Sequence, residues 1–262
     1  MVGLLIGDRI ILDRVESIPY KTGPLQTIAR IIRGRPKLTL TRRYGQVFVS
    51  DGRRNLALVS EGRVNRYNRG IGVRISKMLR DYHLPAVPLS PGDLVVNVGA
   101  NIGELVIGCS EQGCRVVAIE PDPAALACLR INVPDATIIE AGLWDEDRDL
   151  TFYLRSGSAD TSAITSSHKN DKPFTVTARR LDTLLTDDHI RLLVGDAEGA
   201  EPEVLAGAEN ILPRIDYVSI ACGPERNGER TVDTCRAFLR ARGFAILSDG
   251  DYVLARNNTI TR

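Results

Sequence analysis

The stretch Pro91-Gly92-Asp93-Leu94-Val95-Val96-Asn97-Val98-Gly99-Ala100-Asn101-Ile102-Gly103 holds the pattern around which the rest of the chain is organised. Residues 94–98 are a short apolar run of strand length, bounded by Pro91-Gly92 on one side and a glycine on the other. Gly99 and Gly103 then turn the chain into a helix predicted over residues 102–111. Glycine here permits a positive φ and lets the backbone approach a ligand with no Cβ in the way. The next strand, predicted over 115–120, ends in an acid, Glu120, 21 residues after Gly99. Open α/β sheets bind ligands at the carboxyl ends of their strands, and an acid at that place can accept hydrogen bonds from both hydroxyls of a ribose. The glycine turn and Glu120 together predict a nucleoside site.

Working outward, short apolar strands alternate with amphipathic helices from Pro91 to the end. Helices are predicted over 123–131, 203–212 and 231–242, and strands over 136–140, 191–196, 217–221, 244–247 and 252–255. Such alternation predicts a parallel α/β sheet covered by helices on both faces. The last two strands are separated only by Ser248-Asp249-Gly250-Asp251, too short for a parallel crossover, so they are antiparallel neighbours. The outline is a Rossmann-like, mostly parallel seven-stranded sheet with one antiparallel strand. Between strands expected over 150–154 and 174–178 lies a Ser/Thr-rich excursion, residues 157–170, containing His168.

Before Pro91 the chain reads differently. Residues 1–40 have apolar clusters of helical appearance broken by Pro19, Pro24 and Pro36. Residues 46–49 and 56–59 form a hairpin about Ser50-Asp51-Gly52. A helix over 71–83 follows, and Leu84-Pro85-Ala86-Val87-Pro88 reads as a rigid linker. The expected division is a basic N-terminal extension of helical segments and a hairpin (1–88) and a nucleoside-binding domain (89–262).

The chain has 262 residues, 43% hydrophobic and 26% charged, as in ordinary soluble enzymes. It has no apolar run long enough to span a bilayer and no secretory signal pattern, and its five cysteines lack a CxxC pair. Buried, reduced thiols and a cytoplasmic location are the expectation. The formal net charge of +1 conceals an asymmetry: residues 1–90 carry 17 Lys/Arg against 6 Asp/Glu, and residues 91–262 carry 17 against 27. The two parts either attract each other or the basic part holds an anionic acceptor.

A dinucleotide site requires Gly-x-Gly-x-x-Gly, whose second glycine clears a pyrophosphate. Here Asn101 holds that second place and Glu104 the last, which disfavours NAD and favours S-adenosylmethionine. The chain over residues 92–262 resembles the FkbM-type methyltransferases, and the hairpin and helix of 44–83 are similar to that family's lead-in. The resemblance rests on Pro91–Gly103, Val117-Ala118-Ile119-Glu120-Pro121, Ala141-Gly142-Leu143-Trp144-Asp145, Leu181-Asp182-Thr183-Leu184-Leu185 and Asp196-Ala197-Glu198-Gly199-Ala200-Glu201. It implies O-methylation of a hydroxyl on a sugar, glycolipid or natural product. The cofactor would be held by Asn97, Gly99, Ala100, Asn101, Gly103, Glu120, Pro121, Gly142 and Leu143. The chain departs from the family at Asn97, usually Asp, and at Val194, usually Lys. It departs again at Ile220-Ala221-Cys222-Gly223-Pro224-Glu225-Arg226, where the family's strand commonly ends in Glu with a nearby His.

Asp196 ends a core strand at the same sheet edge as Gly99 and is the leading candidate to orient or deprotonate the acceptor hydroxyl. Glu198 and His168 are further candidates, whereas Glu201 suits helix capping. No metal site is expected. Two rival readings are an RNA methyltransferase using the basic N-terminal part and a non-catalytic partner that keeps the fold. Trp144 either borders the adenine or packs in the core. In a calorimetric titration S-adenosylmethionine and S-adenosylhomocysteine should both bind, with little heat from NAD. Heat from NAD comparable to that from S-adenosylmethionine would refute the cofactor reading.

Overall fold

A computed structural model describes residues 4–6, 9–11, 16–18, 34–154, 162–163, 172–185, 189–248 and 250–260. It divides into two compact units, Met1–Ile75 and Ser76–Arg262. In the first, β1 (Leu4–Ile6) and β2 (Arg9–Ile11) form an antiparallel pair. Strands β3 (Glu16–Ile18), β4 (Thr39–Arg43), β5 (Gln46–Ser50) and β6 (Asn55–Leu58) form an antiparallel sheet in that order. The hairpin expected from the sequence is β5–β6. Asp51 fixes its turn, Oδ1 accepting from the amides of Arg53 (3.0 Å) and Arg54 (2.8 Å). The helical appearance of residues 1–40 is corrected, because every described element of that stretch is a strand. β4 escaped notice because its two-residue turn into β5 is Tyr44-Gly45, with φ of 48° and 77°. Both turn residues need positive φ, which Asn-Gly would have advertised and tyrosine conceals. The 3₁₀ turn Glu61–Tyr67 and helix α1 (Ile71–Asp81) follow.

The second unit contains β7 (Leu94–Val98), α2 (Glu104–Ser110), β8 (Arg115–Ile119), α3 (Pro123–Asn132), β9 (Thr137–Ile139) and β10 (Gly142–Leu143). Next come β11 (Arg148–Leu154), β12 (Ser162–Ala163), β13 (Lys172–Arg179), α4 (Leu181–Leu184), β14 (Ile190–Gly195) and α5 (Glu201–Ala206). It ends with β15 (Ile215–Ala221), α6 (Val232–Ala241), β16 (Phe244–Ile246) and β17 (Tyr252–Asn257). The main sheet has seven strands in the order β16-β17-β15-β14-β7-β8-β9. β17 alone runs opposite to the other six strands, and so is antiparallel to both β15 and β16. This is the Rossmann-like, mostly parallel seven-stranded sheet with one antiparallel strand expected from the alternating pattern. Every residue of β7 is buried, because alternate side chains enter two separate cores. Leu94, Val96 and Val98 join one core and Val95 the other, the signature of a parallel sheet covered on both faces. Tyr82, Leu84 and Val87, in and beside the segment read as a linker, are buried in the second of these cores.

A smaller sheet, in the order β10-β13-β11-β12, is inserted between β9 and β14. The antiparallel pair β11–β13 places Phe152 opposite Phe174, whose rings meet edge to face at 6.1 Å. The two strands expected on either side of the excursion are thus present as β11 and β13. Of the excursion itself only Ser162–Ala163 is described, as β12 paired with β11, and His168 lies outside the described residues.

At the carboxyl edge of the main sheet, β7 and β14 approach backbone to backbone. A Cβ on Gly99 would overlap the Asp196 carbonyl oxygen, and a Cβ on Gly195 would overlap the Val98 carbonyl oxygen. The Asp196 amide donates to that Val98 carbonyl at 3.1 Å. Gly195 does not sit at positive φ, so alanine there meets only the steric obstacle. Gly195→Ala should cost about 1–3 kcal/mol or more, read from urea denaturation midpoints. Gly72→Ala, inside α1 with only an ordinary 3.5 Å contact to Arg54, should be neutral or stabilising.

Candidate functional site

Three loops meet at this edge, leaving the ends of β7, β8 and β14. The β7–α2 loop starts with Gly99 at φ 62°, continues through Asn101 at φ 51° and ends with Gly103 at φ 96°. The Ala100 amide donates to the Ile119 carbonyl (3.0 Å) and the Gly103 amide to Ala100 (2.9 Å), while Asn132 Nδ2 donates to the Ile102 carbonyl (2.8 Å). The glycines serve packing as well as turning. Gly99 clears the Asp196 backbone, and a Cβ at Gly103 would come within 2.9 Å of Leu129 on α3. At Gly142, in β10, a Cβ would stand 2.8 Å from Val176.

Glu120 directly follows β8 and is buried. Its Oε2 accepts from the Asn101 amide (2.7 Å) and its Oε1 from the Asp122 amide (2.8 Å). One carboxylate thus joins the β7–α2 and β8–α3 loops. Asp122 caps α3, Oδ1 accepting from Ala124 (2.7 Å) and Ala125 (3.3 Å). Pro121, between these acids, is half-buried. Asn97 is buried within β7. Its Nδ2 donates to the carbonyls of Val194 (3.1 Å) and Val98 (3.4 Å), while Oδ1 has no hydrogen-bond partner in the structure. An aspartate there would set its oxygens against two carbonyls, which gives a physical reason for asparagine in this chain. Leu143, next to Gly142 in β10, points into the core shared with Ile119 and Val98.

Asp196 follows β14 and is half-buried. Its Oδ1 accepts from the Glu198 amide (3.0 Å), and Oδ2 faces the Tyr82 hydroxyl at 3.5 Å, the outer limit of a hydrogen bond. Burial, and then the Asp196 charge, push the Tyr82 phenol well above its ordinary pKa, so it stays a donor. Tyr82 stacks edge to face on Tyr252 at 4.9 Å. Sequence reasoning missed Tyr82 because a tyrosine on an apolar helix face carries no functional signal. Glu198 adopts φ 51°, a left-handed conformation that a non-glycine residue holds at a cost of about 1 kcal/mol or more. Among the described residues no group of three His, Cys, Asp or Glu is placed to hold a metal ion.

The geometry therefore brings Asn97, Gly99, Ala100, Asn101, Gly103, Glu120, Pro121, Asp196 and Glu198 to one sheet edge, with Gly142 and Leu143 in the smaller sheet. Glu201, expected to cap the helix, stands in the first turn of α5 but makes no cap hydrogen bond there; it straps the preceding turn instead. Its Oε1 accepts from the amides of Ala197 (3.1 Å) and Gly199 (3.0 Å), and Oε2 from the Thr231 hydroxyl (2.7 Å). Burial raises its pKa to about 7, opposed by the Thr231 hydroxyl and reinforced by the Asp196 charge. A carboxyl whose pKa is raised by folding favours the folded state when protonated, so its contribution is complete below its ordinary 4.5 and disappears as pH rises through about 7. Over that window the contribution is about 3 kcal/mol. Glu201→Gln keeps the shape and the acceptor oxygen, and should flatten this part of the urea-stability profile between pH 4.5 and 8. An unchanged slope in that variant would assign the pH dependence to another group.

Known proteins bear on this arrangement. Residues 97–246, more than half of the chain, match the family described as the methyltransferase FkbM domain. The 31-O-demethyl-FK506 methyltransferase FkbM of Streptomyces tacrolimicus is 27% identical over 215 residues, covering 67% of this chain and 82% of that protein. Among solved structures, a precorrin-6Y C5,15-methyltransferase from Geobacter metallireducens is 13% identical with a TM-score of 0.43, covering 68% of this chain and 86% of its own. A magnesium protoporphyrin IX methyltransferase from Synechocystis, solved with bound S-adenosylmethionine, is 11% identical with a TM-score of 0.43, covering 72% and 78%. These two distant likenesses say nothing of acceptor or chemistry.

Proposed function

The chain belongs to the FkbM methyltransferase family, and from that membership we propose that it methylates a hydroxyl oxygen on a sugar, glycolipid or natural-product acceptor. It is an S-adenosylmethionine-dependent methyltransferase; the acceptor and the residue roles are the proposal. When bound, S-adenosylmethionine supplies an electrophilic methyl group and leaves as S-adenosylhomocysteine. The observation that carries the reading is the meeting of Asp196 with the Gly99 turn at one sheet edge. A carboxylate beside the cofactor loop can take the acceptor proton, an effect typically worth about 10²–10⁴-fold.

The side chains at the edge suit this cofactor. Glu104, Glu120 and Asp122 are buried acids beside the β7–α2 and β8–α3 loops, and they favour a ligand bearing sulfonium and ammonium charges over one bearing phosphates. The Glu120 carboxylate, at the junction of the two loops, is the acceptor for the ribose hydroxyls, and the Asn97 Oδ1 is the acceptor for the ammonium. Glu198 and His168 stand behind Asp196 as candidates for handling the acceptor proton. The name of the Streptomyces relative, a 31-O-demethyl-FK506 methyltransferase, supports a hydroxyl acceptor. Among the described residues no helix is long and apolar enough to cross a membrane. The excess of arginine before residue 91 favours an acceptor that carries phosphate.

The test is product mass spectrometry on a panel of 31-O-demethyl-FK506, alkyl glycosides and nucleotide-sugars at low and high salt. Oxygen methylation of one panel member is expected, with a KM that rises with salt if the acceptor is a phosphate ester. Methylation confined to an RNA control would overturn the acceptor reading. Asp196→Asn keeps size and shape but removes the base, so kcat should fall by about 10²-fold or more with cofactor affinity little changed. If instead Asp196→Asn is near normal and His168→Ala collapses, the base lies in the excursion.

A further inference from the structure

The segment Gly223-Pro224-Glu225-Arg226, where the chain departs from its family, is not used by any step above. Its last residue makes a built contact with the loop that carries Asp196. Residues 226–229 form a tight turn in which Asn227 (φ 53°) and Gly228 (φ 85°) both occupy the left-handed region, and the Glu229 amide donates to the Arg226 carbonyl at 2.9 Å. That is the geometry of a type I′ turn, with the Asn-Gly pair it prefers. The turn lays Arg226 against Gly199. A Cβ on Gly199 would stand 3.0 Å from the Arg226 nitrogen and 3.1 Å from its Cα, so only glycine fits without movement.

The side chain completes the contact. Arg226 Nε donates to the Gly199 carbonyl at 2.7 Å, and its Nη2 pairs with Glu203 on the first turn of α5. A guanidinium presents its donors in a fixed plane, so two partners on one fork fix the peptide between them in orientation as well as in place. The peptide held in this way joins Gly199 to Ala200, directly after Glu198, the non-glycine residue in the left-handed conformation. Within the same turn, the Glu198 amide bonds Asp196 Oδ1, and Glu201 takes the amides of Ala197 and Gly199. Glu201 thus holds the turn's donors from inside, and Arg226 holds its carbonyl from outside.

We propose that Arg226 is a positioning residue for the Asp196 and Glu198 carboxylates, acting through the Gly199 carbonyl. This rests on the reading of Asp196 as the group that handles the acceptor proton. An arginine serving only as a surface tether would affect stability and leave turnover per folded molecule intact. An arginine that sets the turn affects kcat through Asp196.

The experiment is a double-mutant cycle on the full chain. It uses the panel acceptor that the wild-type protein methylates fastest, with S-adenosylhomocysteine as the probe of the cofactor site. Arg226→Ala should lower kcat about 10–100-fold, the range for a reacting group displaced by a fraction of an ångström to an ångström. Affinity for S-adenosylhomocysteine should stay within about twofold, and Arg226→Lys, able to keep one of the two bonds, should recover part of the rate. In an Asp196→Asn background the same Arg226→Ala change should cost little further, because groups acting as a unit are not additive. A wild-type kcat in Arg226→Ala, or a loss carried in full into the Asp196→Asn background, overturns the proposal. If Arg226→Ala does not fold, Arg226→Lys enters the cycle in its place and is judged by the same two outcomes. Asp196→Asn turning over at the wild-type rate would instead bring down the underlying reading, whatever Arg226 does.

Discussion

The close passage of β7 and β14 is the constraint on which the rest of the site depends. Two strands carrying side chains at these positions could not meet, since Gly99 faces the Asp196 carbonyl and Gly195 faces the Val98 carbonyl. With both side chains absent, the parallel ladder continues one bond further, from the Asp196 amide to Val98. The cofactor loop and the candidate proton acceptor then leave the sheet side by side. A side chain at either glycine would end the β7–β14 ladder before this last bond and part the two loops that follow it. The site is therefore a property of sheet geometry first and of side chains second.

The acids of the edge show a second regularity, in that several are held by backbone amides. Glu120 ties two loops together, Asp122 caps α3, Asp196 takes the Glu198 amide and Glu201 takes two amides of its own turn. A carboxylate fed by amides keeps its direction, and the amides are satisfied where the chain turns too sharply for regular secondary structure. Left-handed residues gather in the same loops: Gly99, Asn101, Gly103, Glu198 and Gly199. Backbone strain and charge are concentrated together, and each offsets a cost of the other. Carboxylates aimed by the backbone need little reorganisation to meet a cationic ligand.

Most of the second unit was legible from the sequence because two periodicities coincide there. Buried parallel strands read as unbroken apolar runs, and their helices as 3.6-residue stripes, so each element of the main sheet was found to within a few residues. Gly99 and Glu120 were legible as a pair because their spacing reflects one strand–helix–strand unit. What could not be read is what depends on contacts distant in sequence. Tyr82 reaches Asp196 across more than a hundred residues, and Arg226 reaches Gly199 across 27. The reason for Gly103 and Gly142 was legible only in part: flexibility was expected, whereas Leu129 and Val176 lie where a side chain would go. In the first unit, Tyr44 occupies a turn position that favours asparagine, which hid β4 and left its neighbourhood looking helical. The Asn227-Gly228 turn carried a readable signal that the alternation of strands and helices overshadowed.

The β10–β13 sheet has a separate consequence. Among the described residues, the strand ladders of its long pair, β11–β13, lie within that sheet, and the pair joins the remainder of the chain at its base, through β10, Trp144 and the start of α4. Residues added to or removed from its outer end would alter no ladder of the seven-stranded sheet. An evolving lineage can therefore lengthen, shorten or recolour that hairpin while the nucleoside platform is inherited unchanged. Divergence between relatives should accumulate there, where a change of length disturbs no strand pairing of the main sheet.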